Sequence, residues 1–180
     1  MYYDHKICGK YTSLRSVTSS DKDINFIIEL RTDEKRGRYI HSTPADVEFQ
    51  RKWISEQQKK IGDYYFLILN SQDIPIGTVS IYNIFEKEAE LGRWVSLGNA
   101  LENMESVYLL HKWAFEKLDL EMIYTKTLTL NHKVVNFWRK FGATMIEEID
   151  SEAGKISPGK ITKDNFFNYI DPKIKKLLRY

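Results

Sequence analysis

The sequence is short of the residues that build several classes of site. It has one cysteine, Cys8, among 180 residues, which excludes an intramolecular disulfide and a cysteine-built zinc site. Its four histidines, His5, His41, His111 and His132, are scattered, and none stands at the spacing of a metal-binding helix. Charge of one sign is also missing. The 27 basic and 25 acidic side chains leave a net +2, too little for a general attraction to nucleic acid or acidic lipid. No apolar run approaches the roughly 20 residues that span a bilayer. The opening stretch MYYDHKICGKYTS has neither a signal-peptide core nor a small-residue cleavage site, so a cytoplasmic location is expected. Proline (4) and glycine (9) are sparse, and no linker or internal repeat divides the chain, so residues 1–180 are expected to form one domain.

What is present is a change of period along the chain. Lys10 to Val17 reads as a strand. Ser20 before Asp21 and Asp23 is a helix start, with Ile24, Ile27, Ile28 and Arg31 at helical spacing and Gly37 as a stop. Thr43-Pro44 with Asp46 starts a second helix carrying Phe49, Trp53 and Ile54, closed by Gly62. Tyr64–Leu69, Ile74–Tyr82 and Ala89–Ser96 read as three strands of a meander, joined by turns at 71–73 and 86–88. A helix is expected over 103–118, a strand over 122–130, and a helix from Asn131 to Gly142. A strand over 143–149, a turn, a strand over 165–170 and a short helix after Pro172 complete the order β-α-α-β-β-β-α-β-α-β-β. The fold class is mixed α/β, with a largely antiparallel central sheet and helices on both faces.

Three segments carry a resemblance. Ala89-Glu90-Leu91-Gly92-Arg93-Trp94-Val95 is similar to a central strand often written A-E-I-G-Y-W-V. Trp113-Ala114-Phe115-Glu116-Lys117-Leu118 is the end of a helix followed by a strand. Asn131 to Ala143, with Phe137-Trp138-Arg139-Lys140-Phe141-Gly142, is similar to a strand-end Asn, a helix and an F-Y-E-K-x-G-F closure. In this order and at these separations the chain resembles the GNAT superfamily of acetyl-CoA-dependent N-acetyltransferases.

The resemblance implies a cleft between the strands at 89–96 and 122–130, with acetyl-CoA as co-substrate and no metal. Backbone groups at Trp94, Val95 and Ser96 would bind the pantetheine arm and hold the oxyanion of the tetrahedral intermediate. Leu101, Asn103 and Met104, at a helix start, would receive the pyrophosphate, and Asn131, Phe137 and Trp138 would line the channel. Two departures stand out. The family loop Q/R-x-x-G-x-G/A aligns with Gly98-Asn99-Ala100-Leu101-Glu102-Asn103, which lacks both late glycines, and Glu102 and Glu105 are poor company for a diphosphate. Gly98, Asn99 and Asn103 could still take left-handed conformations there. Trp138 stands where the family often has a tyrosine that protonates the departing thiolate, and indole cannot do so.

Glu90 is either the base that deprotonates the attacking amine or a solvated strand carboxylate. His41 is either a base or substrate contact, or a surface histidine. Arg31, Arg38, Tyr39, His41 and Tyr82 are candidates for the acceptor side, with Lys35 and Arg36 extending the basic group. A lysine amine, near 10.4, needs strong deprotonation, whereas an amino-sugar amine needs little. With few candidate bases, the expected acceptor is the amino group of a nucleotide-linked amino sugar. The stretch 30–53 looks like the branch that acts on such sugars, which is similar to the ribosomal-protein N-terminal acetyltransferases. The alternatives are a protein N-terminal acetyltransferase and a degenerate acyl-CoA-binding module. Neither nucleic acid nor membrane is an expected partner, and a homodimer is left open.

Overall fold

In the computed structural model, residues 5–35, 37–39 and 44–180 are described, Arg38 by its backbone alone. The elements are β1 (Lys6–Cys8), β2 (Thr12–Ser16), α1 (Asp21–Thr32), a 3-10 turn (Gly37–Tyr39), α2 (Val47–Gln57), β3 (Tyr64–Asn70), β4 (Pro75–Phe85) and β5 (Glu88–Ser96). They continue with α3 (Ala100–Lys117), β6 (Met122–Leu128), α4 (His132–Phe141), β7 (Thr144–Met145), β8 (Ile149–Ser151), β9 (Gly154–Thr162), α5 (Lys163–Asn165), a π turn (Phe166–Ile170) and α6 (Asp171–Leu178). The strands form one sheet in the order β1-β2-β3-β4-β5-β6-β9-β7, with β8 paired to β9. Each described pairing is antiparallel except β5 with β6. Among the described residues no helix is long and apolar enough to cross a membrane.

Ser20 caps α1 as expected, its hydroxyl accepting from Asp23 N. Elsewhere the boundaries move. Asp46, not Thr43, caps α2; Thr43 lies outside the described residues. Phe49, expected on the buried side of α2, is 53% exposed. Helix α3 starts three residues early, at Ala100, because Asn99 and Glu102 form a reciprocal cap. The expected strand over 143–149 is split into β7 and β8.

The largest difference is in the tail. Residues 154–162 form β9, where Pro158 and Gly159 disguise an otherwise alternating strand, and the expected strand over 165–170 is helical. Phe166, Ile170, Ile174 and Leu178 are all buried and lie four residues apart, a helical period, while Tyr169 is exposed.

Two hydrophobic clusters lie on opposite faces of the sheet. The larger joins the sheet to α3, α4 and α6 through residues such as Phe66, Val107, Leu110, Phe141 and Ile174. The smaller joins Ile24 and Ile27 of α1 and Ile54 of α2 to Tyr65, Leu67 and Leu69 of β3.

Glu105 has no solvent exposure and holds the N-terminal turn to α3. Its carboxylate accepts from the backbone N–H groups of Lys10 (2.9 Å), Tyr11 (2.7 Å) and Thr12 (2.6 Å), from Thr12 Oγ1 (2.9 Å) and from Tyr180 Oη (2.5 Å). Glu105→Ala would strand these buried donors and is expected to lower stability by about 3–5 kcal/mol, read from the urea midpoint.

His111 is buried among Trp138, Phe141 and Phe166. Its Nδ1 lies 2.8 Å from the carbonyl of Val107, an acceptor, so Nδ1 carries the proton. Burial lowers its pKa from 6.5 to about 4. The unfolded chain therefore binds a proton that the folded chain refuses between those values. The contribution is fully present above pH 6.5 and is lost as pH falls toward 4, by roughly 3 kcal/mol. His111→Phe should flatten the stability slope over that range in denaturation series at stepped pH.

Candidate active site

Strands β5 and β6 pair only from Glu88–Met122 to Leu91–Thr125. Beyond that point β5 stays with β4 as far as Ser96, and β6 stays with β9 as far as Leu128. The two strands part, and a wedge opens between 92–96 and 126–128. The splayed cleft implied by the sequence is therefore present.

A bulge stands at its corner. Ser80 faces Gly92 and Thr78 faces Val95, so Arg93 and Trp94 share the interval opposite Val79. Arg93 has φ +50, a left-handed conformation that costs a non-glycine residue on the order of 1 kcal/mol. Three contacts hold it there. Asp63 accepts two bonds from its guanidinium (2.5 and 2.9 Å), the guanidinium lies 4.3 Å from the Tyr82 ring centre, and Thr78 Oγ1 donates to its carbonyl at 2.8 Å. The bulge sends neighbouring side chains to opposite faces: Arg93 to Trp53, Tyr65 and Tyr82, and Trp94 to Phe137 and Trp138, at 4.5 and 5.5 Å between ring centres.

Glu90 lies one turn of the pleat before the corner, level with Tyr82 on β4 and Tyr124 on β6. It is 8% exposed. Tyr82 Oη donates to Oε1 at 2.8 Å, Asn83 Nδ2 lies 3.3 Å from Oε2, and Lys126 Nζ lies 3.3 Å from the same oxygen. Burial and the adjacent carboxylate push the Tyr82 phenol well above its ordinary value, so it remains a donor to Glu90. A Cβ on Gly92 would run into the Tyr82 hydroxyl, so the absence of a side chain there makes room for that contact. Glu90 is thus a held carboxylate beside the wedge rather than a solvated one.

Of the other acceptor-side candidates, Arg31 ends α1 and Tyr39 ends the 3-10 turn that folds back on it through Gly37 N and the Asp33 carbonyl (2.7 Å). Arg38 lies in the same turn by its backbone, and His41 and Arg36 are outside the described residues. Tyr82 and Glu90 are brought together by direct contact; Arg31 is close enough to Tyr65 for its charge to act on that phenol.

On the opposite side, Val95 is buried, and the Ser96 hydroxyl accepts from Gly98 N at 2.9 Å. Asn103 Nδ2 donates to the Gly98 carbonyl at 2.9 Å. Met104 packs against the larger cluster, and Leu101 is exposed. Asn131 caps α4. Trp138 is only 2% exposed and belongs to the core, packed on Trp94 from within; Phe137, partly buried, lies against the same ring. The left-handed conformations expected at Gly98, Asn99 and Asn103 do not occur, since the Asn99 cap at φ −73 sets the path of the loop. Glu105 does not face this loop at all, being consumed by the turn at 10–12. Glu102 does.

The unpaired edge at 92–96 fits an extended amide chain such as pantetheine, which adds to a strand through backbone bonds. The loop at 98–103 does not fit a diphosphate in its present form, because the amides of Gly98, Asn99, Leu101 and Glu102 are bonded internally and the Glu102 carboxylate stands beside them.

Sequence reasoning missed Asp63, Asn83, Arg93 and Lys126. Arg93 stood inside the A-E-L-G-R-W-V segment, and an arginine beside Gly92 at a strand centre was the available signal. Nothing local marked Asp63, thirty residues away.

Residues 12–144 match the acetyltransferase (GNAT) domain family, and the chain belongs to that family. It is an N-acetyltransferase of the GNAT fold. No curated protein matches it. Among solved structures it is similar to apo FdhC, described as a nucleotide-linked sugar GNAT, at 28% identity over 93% of this chain and 97% of that one, TM-score 0.77. It shares its fold with the spermidine N-acetyltransferase of Vibrio cholerae in complex with CoA and spermine (16% identity, 89% and 100% covered, TM-score 0.78). It also shares it with a GCN5-related N-acetyltransferase from Brucella melitensis (13% identity, 98% and 85% covered, TM-score 0.78).

The side chains of Arg93 and Asp63 are 19% and 9% exposed. Arg93→Ala leaves the Asp63 carboxylate without a countercharge, with Gln57 Nε2 (3.1 Å) still donating to it, and is expected to cost about 3 kcal/mol. In a double-mutant cycle with Asp63→Asn the losses should fall short of additive by about 1 kcal/mol or more, measured by chemical denaturation.

Proposed function

We propose that this N-acetyltransferase moves an acetyl group from acetyl-CoA to the amino group of a nucleotide-linked amino sugar, by direct attack within a ternary complex. The observation that carries the reading is the placement of Glu90, held by Tyr82, Asn83 and Lys126, at the point where β5 and β6 part. Acetyl-CoA supplies an activated thioester. The neutral amine forms the new C–N bond, the C–S bond breaks, and Glu90 takes the amine proton directly or through water. The CoA thiol, with a pKa of about 8.5, leaves as a tolerable thiolate and is protonated by water. Trp138 serves no such role, and the raised Tyr82 phenol is a poor acid.

The aromatic side chains of the acceptor side are in keeping with a base-bearing substrate. Arg93 lies against Trp53, Tyr65 and Tyr82, and the part-exposed rings of Trp53 and Tyr82 offer stacking area. Among the described residues, Asp63 and Glu90 on this side are each paired with a cation, Arg93 and Lys126. The 28% identity to a structure described as a nucleotide-linked sugar GNAT supports the same class of acceptor.

A thiol-release assay should show turnover with UDP-4-amino sugars and little with N-terminal peptides or spermidine. Preference for peptides would replace this reading with protein N-terminal acetylation. Absence of turnover with every amine, despite acetyl-CoA binding, would leave a binding module. Glu90→Gln is expected to lower kcat about 10²-fold and to remove the acid limb of its pH profile; an unchanged profile would reject the base.

A further inference from the structure

The two ends of the wedge treat a ligand differently. At the α3 end, four of the backbone N–H groups a diphosphate would use are already bonded. Gly98 N donates to Ser96 Oγ (2.9 Å), Asn99 N to the Glu102 carboxylate (2.8 Å), and Leu101 N and Glu102 N to Asn99 Oδ1 (2.9 and 3.1 Å). The partial positive charge of the helix start thus already faces an anion, Glu102. An incoming diphosphate would meet that carboxylate and would have to break the cap. At the β5 end the situation is reversed. Trp94 Nε1 is buried with no hydrogen-bond partner among the described residues, its ring set against Phe137 and Trp138 beside the unpaired edge of 92–96. A buried donor without an acceptor is costly, and a ligand carbonyl placed there removes that cost.

We propose that this chain grips its acyl donor at the thioester and pantetheine end, with Trp94 Nε1 donating to a carbonyl of that arm, and that Glu102 keeps the donor's nucleotide end from adding to the affinity. The inference rests on the acetyl-transfer reading above and assigns two specificity-determining side chains within it. Trp94 recognises what coenzyme A and pantetheine have in common. Glu102 acts against the diphosphate, which only coenzyme A carries. Their substitutions must therefore separate the two ligands.

Calorimetric titration of coenzyme A and of pantetheine into the full chain tests this, with circular dichroism confirming that each variant is folded. In the unsubstituted protein coenzyme A should bind within about 10-fold of pantetheine. Glu102→Ala, which removes both charge and cap, should tighten coenzyme A by about 10-fold and leave pantetheine unchanged. Glu102→Gln keeps an acceptor for Asn99 N and removes only the charge, so it should give a smaller gain for coenzyme A alone. Trp94→Phe keeps the ring and loses the donor, and should weaken both ligands by the same factor, about 5- to 10-fold. Coenzyme A binding more than about 100-fold tighter than pantetheine, with Glu102→Ala no tighter, would overturn the inference and leave acetyl transfer standing. Equal binding by Trp94→Phe and the unsubstituted protein would overturn the part assigned to Trp94. If neither ligand binds, the inference falls together with the acetyl-transfer reading.

Discussion

The parting of β5 from β6 after Leu91 and Thr125 is the constraint on which the rest of the molecule depends. Two adjacent strands in the middle of a sheet do not separate without cause, since each residue that leaves the ladder strands a donor and an acceptor. Here each strand is held from its outer side, β5 by β4 and β6 by β9. The turn away is made at Arg93, whose left-handed backbone is tolerated because Asp63, Tyr82 and Thr78 all hold it. The cost of that conformation falls at the centre of the sheet, where the ladder between β5 and β6 ends.

The same bulge divides the chemistry between two faces. Arg93 turns toward Trp53, Tyr65 and Tyr82 on the face covered by α1 and α2, where Glu90 and Lys126 also lie. Trp94 turns toward α4 and the larger cluster. In the proposed reaction the amine and the acyl donor would approach this point of the backbone from different sides. Polar groups on the amine side are bonded to one another, while Trp94 Nε1 on the donor side has no partner among the described residues.

The fold was legible wherever one local signal dominated. Ser20 and its acids started α1, the runs at 64–69, 74–82 and 89–96 became β3, β4 and β5, and the segments around Glu90 and Asn131 identified the family. The reading failed where a local signal was ambiguous. Phe166 to Ile170 is rich in strand formers, and only its four-residue continuation into Ile174 and Leu178 shows a helix. Pro158 and Gly159 hid β9. In the site, Glu90 and Tyr82 were legible because they lay on neighbouring strands of a recognisable meander. The partners that hold them were not, because Lys126 reaches Glu90 across a parallel ladder and Asp63 reaches Arg93 across thirty residues. Glu105 looked like an obstacle to a diphosphate in the sequence, and its true partners, the amides at 10–12, come from the other end of the chain.

The two hydrophobic clusters share no member. The smaller one, built on Ile24, Ile27, Ile54, Tyr65, Leu67 and Leu69, is the layer against which the acceptor side is formed, whereas α3 and α4, which border the donor side, belong to the larger. Changes in packing that do not share neighbours add rather than couple, and a small cluster opens locally at less cost than the whole fold. Substitutions at Ile24 or Ile54 are therefore expected to add to ones at Val107 or Phe141, whereas β3, which lends Tyr65, Leu67 and Leu69 to one cluster and Phe66 and Ile68 to the other, is where the two layers couple.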